Sequence, residues 1–193
     1  MEIRNLKNMT PSELSALIPW KQFPSNELVV FDLETTGFSN DDRITEIAAV
    51  RLRRGAQEFE KFSMLLNVDV QLSDEVIEIT GITNDLLEAE GKPFYVAFGE
   101  FKEFLGDSDL YAFNANFDKK FIKSLCKKYN ITFSNYIGDT MLVCRKAFPE
   151  VGVKLQNYAE HFGIDYSKAH RALEDSIIAL KCYCAALAEL QRE

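Results

Sequence analysis

Residues 28–33, Leu28-Val29-Val30-Phe31-Asp32-Leu33, constrain the fold more than any other stretch of the chain. A short apolar run without alternation is the pattern of a strand buried on both faces, as in sheets covered by helices on each side. A second run, Leu110-Tyr111-Ala112-Phe113, repeats it. Both runs are followed closely by acids: Asp32 and Glu34 at the end of the first, Asp118 just beyond the second. Carboxylates are seldom placed at such positions by packing alone.

The rest of the chain fills in around these strands. Residues 43–54 and 57–67, with Gly55 between them, predict a hairpin. Residues 74–90 predict one or two short helices broken at Gly81, and Pro93 opens a helix with Phe94, Ala97, Phe98, Phe101 and Leu105 on one face. Further helices are expected over 117–129, 139–147, 154–162 and from about Lys168 to Leu190. Three consecutive strands followed by strands alternating with helices give an α/β fold, its mixed sheet antiparallel at one edge and parallel in the middle. The length of 193 residues suits one domain with a small extension. Residues 1–26 read as that extension: Thr10-Pro11-Ser12-Glu13 starts a short helix, and Trp20 and Phe23 dock it on the body, residues 27–193.

Charge and cysteine content narrow the setting. The 22 Lys/Arg and 30 Asp/Glu give a net charge of −8. That argues against a protein that coats nucleic acid irrespective of sequence and against a basic membrane-surface module. It leaves open an enzyme that reaches phosphate through bound cations. The acidity is uneven: residues 114–171 hold ten Lys/Arg against five Asp/Glu, the remainder 12 against 25. Cys126, Cys144, Cys182 and Cys184 form no CxxC pair and no zinc spacing, which reads as reduced thiols in a cytoplasmic protein. No signal peptide or membrane-spanning stretch is visible.

The acids can be placed more closely. Strand residues i and i+2 share a face, so Asp32 and Glu34 point to one side at the strand's C-terminal end, where open α/β sheets bind ligands. Two like charges there repel and lose hydration; a divalent cation resolves both problems, and Mg²⁺ prefers carboxylate oxygens. The alternative is a solvated strand end. Asn116 as an N-cap would put Asp118 in a first helical turn, where the helix dipole favours an acid with or without a function. On the last helix Asp175 shares a stripe of small residues with Ala172, Ala179, Cys182 and Ala186, and a lone acid on such a face should be paired or bind a metal. His170 lies five residues earlier, about 140° around a regular helix, so it converges with Asp175 only from a loop or a frayed first turn. A histidine beside a metal cluster suits proton abstraction from water; alone, His170 reads as a surface residue. The other histidine, His161, reads as an aid to a helix C-terminus.

Taken together, Phe31-Asp32-Leu33-Glu34-Thr35-Thr36-Gly37, Asn114-Ala115-Asn116-Phe117-Asp118 and His170-Arg171-Ala172-Leu173-Glu174-Asp175 resemble the three motifs of the DEDDh 3′→5′ exonucleases, in order. This is the DnaQ-like branch of the RNase H-like fold, which includes the proofreading subunit of bacterial DNA polymerase III, RNase T and oligoribonuclease. Gly81-Ile82-Thr83, Gly138-Asp139-Thr140 and the segment from Lys154 to Ile164 resemble the family between motifs, although Thr80 stands where the family often has His. The resemblance implies a mixed five-stranded sheet flanked by helices. It implies that Asp32, Glu34, Asp118 and Asp175 hold two divalent cations, Mg²⁺ or Mn²⁺, with His170 as general base. One cation would activate a water and the other stabilise the leaving 3′-oxygen. Thr35, Thr36, Asn114 and Phe117 would contact the terminal nucleotide. The implied substrate is nucleic acid with a free 3′ end, first single-stranded DNA, releasing nucleoside 5′-monophosphates. Short RNA is the enzymatic alternative, and a non-catalytic nucleic-acid-binding or polymerase-associated module the alternative of another class. A DNA polymerase or a second copy of the chain are the implied protein partners; no membrane is.

Overall fold

The computed structural model describes residues 5–39, 42–167 and 169–192. Five strands, β1 (Glu27–Thr35), β2 (Ile44–Arg53), β3 (Glu60–Leu65), β4 (Leu110–Ala112) and β5 (Ile137–Asp139), form one sheet in the order β3-β2-β1-β4-β5. β2 runs antiparallel to β1 and β3, whereas β4 is parallel to β1 and β5 parallel to β4. The apolar run at 28–33 thus lies at the centre of a mixed α/β sheet, with the hairpin on one side and the parallel strands on the other.

Alternation along β1 divides the core. Leu28 and Val30 pack with helices α1 (Pro11–Ala16), α6 (Thr140–Ala147), α7 (Leu155–His161) and α8 (Ala172–Glu189). Val29, Phe31 and Leu33 pack on the opposite face with α4 (Phe94–Leu105) and α5 (Asn116–Tyr129). The sheet is therefore covered on both faces, as the unbroken apolar run requires. Helices α2 (Asp74–Thr80) and α3 (Asn84–Glu90) form a small cluster after β3, and the break between them is Gly81 at φ +68°, a conformation that glycine takes without a Cβ clash.

The N-terminal segment is sewn into the body. Thr10 and Glu13 cap α1 reciprocally, Pro11 opens it, and Leu6, Leu14, Ile18 and Trp20 share the core beneath α8. The Lys181 ammonium donates to the carbonyls of Leu6 and Lys7, and the Gly55 N–H donates to Ser15 Oγ.

Two elements differ from the sequence reading. β5 was hidden because three residues are too few to show a period; it exists by pairing with β4, and Gly138 fits because a Cβ there would meet the Tyr111 ring at 2.7 Å. The last helix starts at Ala172; Lys168, its expected start, lies outside the described residues. All four cysteines are buried and free.

Candidate active site

The alternation that sends Leu28 and Val30 toward α8 sends Asp32 and Glu34 to the same side. α8 brings Asp175 against them. One carboxylate oxygen from each of Asp32, Glu34 and Asp175 lies within 4.8 Å of the others. Asp118 arrives from the opposite face of the sheet, in the first turn of α5, and is 1% exposed. It stands outside that triangle, yet among neighbouring charges its effect on Asp32 is the largest.

Asn116 does not cap α5 as the sequence suggested. Ala115 takes the N-cap position and Asn116 is the first helical residue. The turn is made one step earlier, by Asn114 in the left-handed region at φ 63°, a residue type that tolerates it. Its N–H donates to Asp139 Oδ1 at 3.2 Å and its carbonyl accepts from Phe117 N at 3.0 Å.

The electrostatics are lopsided. Burial, then the charges of Asp118, Glu34, Asp175 and Glu46, hold the Asp32 carboxyl well above the ordinary carboxylate range. Burial, then Asp175 and Glu46, push Glu34 up to about 8, with Arg171 opposing. Burial lifts Asp175 to about 6 against the pull of the His170 backbone N–H, which donates to its Oδ2 at 3.3 Å. Burial also raises Asp118. The Oδ1 atoms of Asp118 and Asp175 are buried with no hydrogen-bond partner. A buried, unpartnered carboxylate oxygen is costly, and a hard divalent cation among these oxygens would relieve the cost. The donor set, all carboxylate, fits Mg²⁺ or Mn²⁺.

His170 sits in the loop just before α8, exposed, with φ 64°, and so escapes the helical geometry that would have turned it away from Asp175. Its ring stands edge-on to Tyr166 with centroids 5.9 Å apart.

The residues matched to nucleotide contact are arranged differently. Thr35 Oγ1 donates to the Gly37 carbonyl at 2.7 Å, and Thr36 Oγ1 donates to Asp42 Oδ1 at 3.0 Å, so both hydroxyls brace the turn after β1. The Phe117 ring packs against Phe38 at 6.0 Å, and Phe38 is 86% exposed. Lys120 spans the pair, donating to the Phe38 carbonyl and lying 5.6 Å from the Phe117 ring centroid. Thr80 turns inward: its hydroxyl donates to the Val76 carbonyl and accepts from Ile82 N. Sequence reading passed over Phe38, Tyr166 and Glu46, and counted Lys120 only among the basic residues of 114–171. Of these only Glu46 carried a signal, a lone acid inside an apolar strand.

The sequence profile of an exonuclease family, RNase_T, matches residues 29–183. The chain belongs to that exonuclease family. Among relatives of this exonuclease chain, the PolC-type DNA polymerase III of Clostridium perfringens is 38% identical over 154 residues, covering 78% of this chain and 10% of the polymerase. The PolC-type enzyme of Caldanaerobacter subterraneus subsp. tengcongensis is 34% identical over 167 residues, covering 86% and 12%. The chain thus spans about a tenth of the length of these curated relatives. Among solved structures, E. coli exonuclease I in complex with a dT13 oligonucleotide superposes with a TM-score of 0.72 at 19% identity, covering 87% of this chain and 42% of that one. The nuclease domain of 3′hExo, a DEDDh family member bound to rAMP, gives 0.68 at 20% identity, covering 88% and 94%. At such identities the likeness is one of fold, and the fold is the RNase H-like exonuclease fold. No helix among the described residues is long and apolar enough to cross a membrane.

Proposed function

We propose that this protein is a metal-dependent 3′→5′ exonuclease that removes nucleoside 5′-monophosphates from single-stranded DNA ends. The observation that carries the reading is the convergence of Asp32, Glu34 and Asp175 within 4.8 Å, beside Asp118, with two buried oxygens unpartnered. A fold that needed these acids only for stability would pair them. PolC-type polymerases as relatives favour DNA over RNA as the polymer, and they make a DNA polymerase the candidate partner.

Asp32, Glu34, Asp118 and Asp175 would hold the cations. When bound, divalent cations supply an activated water at neutral pH and charge neutralisation at the scissile phosphate. The chain's own residues do the remainder. His170, exposed at the edge of the cluster, takes the proton from the attacking water. Its backbone N–H bond to Asp175 ties the loop that carries the base to the first turn of α8, which carries the acid. Phe38 and Phe117, the latter preceding Asp118 in sequence, offer a ring surface on which a terminal base can stack, a contact that tolerates any base. Lys120 adds a positive charge beside those rings.

The test is degradation of matched 5′-labelled DNA and RNA oligomers with Mg²⁺ and with EDTA. The expected result is stepwise shortening of single-stranded DNA from the 3′ end, abolished by EDTA. Faster loss of RNA would move the substrate to short RNA. Binding of both without cleavage would make the chain a binding module, and cleavage in EDTA would end the metal mechanism.

A further inference from the structure

Glu46 takes no part in the chemistry above, yet it is 1% exposed and pairs across the sheet with Glu34. A carboxylate buried opposite another carboxylate is costly unless donors hold it. Four do: Ser63 Oγ at 2.9 Å, Arg171 Nε at 2.9 Å, Arg171 Nη2 at 3.1 Å and the Ala172 backbone N–H at 3.2 Å. Two of these come from one guanidinium in a forked clasp, and the Ala172 N–H opens α8, where the helix dipole favours a negative charge. Arg171 and Ala172 follow His170 directly and lead, three residues on, to Asp175. His170 holds a left-handed backbone conformation that a non-glycine residue keeps only when its surroundings enforce it. On one side the Tyr166 ring and the bond to Asp175 do so; on the other stands Glu46, reaching across 125 residues of sequence.

We propose that Glu46 is a positioning residue which, through Arg171 and the first N–H of α8, fixes the segment that aims His170 and Asp175 at Asp32 and Glu34. The proposal rests on the exonuclease reading. Arg171 is 41% exposed at its side chain, so replacing it need not disturb the core, but its Nε and Nη2 are turned to Glu46. The fork is what matters: a lysine keeps the charge and cannot reproduce two parallel donors.

The experiment compares Arg171→Lys, Arg171→Ala and Glu46→Gln with the wild-type chain. It measures kcat and KM on a labelled oligonucleotide, Mn²⁺ affinity of the metal-free protein by calorimetric titration, and the thermal midpoint. Arg171→Lys should lower kcat about 10- to 100-fold, as loss of a supporting hydrogen bond around a metal site does. KM should stay within about twofold, because ground-state contacts to substrate are untouched. Mn²⁺ affinity should weaken by roughly tenfold. Combining Glu46→Gln with Arg171→Lys should cost no more than the worse single change, since the two act as one unit. Wild-type kcat and Mn²⁺ affinity in Arg171→Lys and Glu46→Gln would overturn the proposal. So would full rescue of Arg171→Ala's defect by lysine, which would leave charge alone, or a rise in KM alone, which would make Arg171 a substrate contact. If Asp32→Ala cut DNA like the wild type, the exonuclease reading itself would fail; if Asp32→Ala is dead and Arg171→Lys fully active, only the positioning role fails.

Discussion

β1 carries acids at both ends, and the two ends treat them in opposite ways. At its start, Glu27 pairs with Arg53 at 2.7 Å and Arg51 at 3.5 Å and accepts from the Ser108 hydroxyl. Glu60, on β3, closes the square with Arg51 at 2.9 Å and Arg53 at 2.6 Å. The bond from Arg53 holds the Glu60 carboxyl below its ordinary range. At the strand's other end, Asp32 and Glu34 meet more acids, and every shift runs upward. The residue types and the strand are the same; only the company differs. Acids supplied with arginines brace the sheet, whereas acids left to one another form a cluster of the kind that hard cations stabilise.

The largest effect that tests this contrast is Asp32→Asn. Activity should fall at least about a thousandfold, the scale of several kcal/mol that metal-held groups supply in such reactions. The same change should raise the melting temperature of the metal-free protein at neutral pH, because a carboxyl raised by burial and like charges must either bear its charge there or take up a proton on folding, and the amide does neither. Glu27→Gln should do the reverse, lowering stability and leaving kcat within about twofold. A destabilised Asp32→Asn protein would break the contrast. Next in size is His170→Ala, expected to slow turnover by about a hundredfold or more while oligonucleotide binding is spared. Equal loss of both would count against a proton acceptor and for a contact.

The third test concerns pH. Burial, then the neighbouring Asp175 and Glu46, raises the Glu34 carboxyl to about 8, and burial raises that of Asp175 to about 6. A carboxyl raised by folding binds its proton more tightly in the folded chain than in the unfolded one. Stability from these groups is therefore fully present below their unfolded values of 3.8 and 4.5 and is lost as pH climbs through about 6 for Asp175 and about 8 for Glu34. The metal-free protein should lose on the order of a few kcal/mol, or about 10 °C in melting temperature, between about pH 5 and pH 9. Mg²⁺ should restore much of it at the alkaline end. A flat profile without metal would show that the acids are already compensated.

Much of this is legible in the sequence. Period two in β1 put Asp32 and Glu34 on one face, and the strand's unbroken apolarity put that face under a helix. The small-residue stripe on α8 foretold the close approach of Asp175. What stayed hidden depended on distant partners or on single backbone angles. β5 has no pattern of its own and is made by β4. The left-handed turn at Asn114 moved the start of α5, and the one at His170 released that side chain from the helix. Glu46 finds its arginine 125 residues away, a pairing that no local window contains.

The smallest predicted effect probes the braced end directly. Glu60 is 47% exposed at its side chain and Arg53 51%, so water screens their pairing although the 2.6 Å contact is short. Glu60→Gln should cost no more than about 1 kcal/mol, the usual ceiling for an exposed ion pair. Arg51 is the more sensitive member. Its side chain is only 9% exposed, its guanidinium donates to the Phe104 carbonyl and lies 4.5 Å from the Phe104 ring centroid, and Glu27 and Glu60 both face it. Removing Glu60 leaves Arg51 with Glu27 and that carbonyl, so its charge is never stranded and the loss stays small. Removing Glu27 as well would strand it, and the double variant should cost more than the two singles together. Chemical denaturation of the three variants measures this coupling. Strict additivity would mean that the arginines at this end are held by water and packing, and that the acids there brace no more than those at the other end.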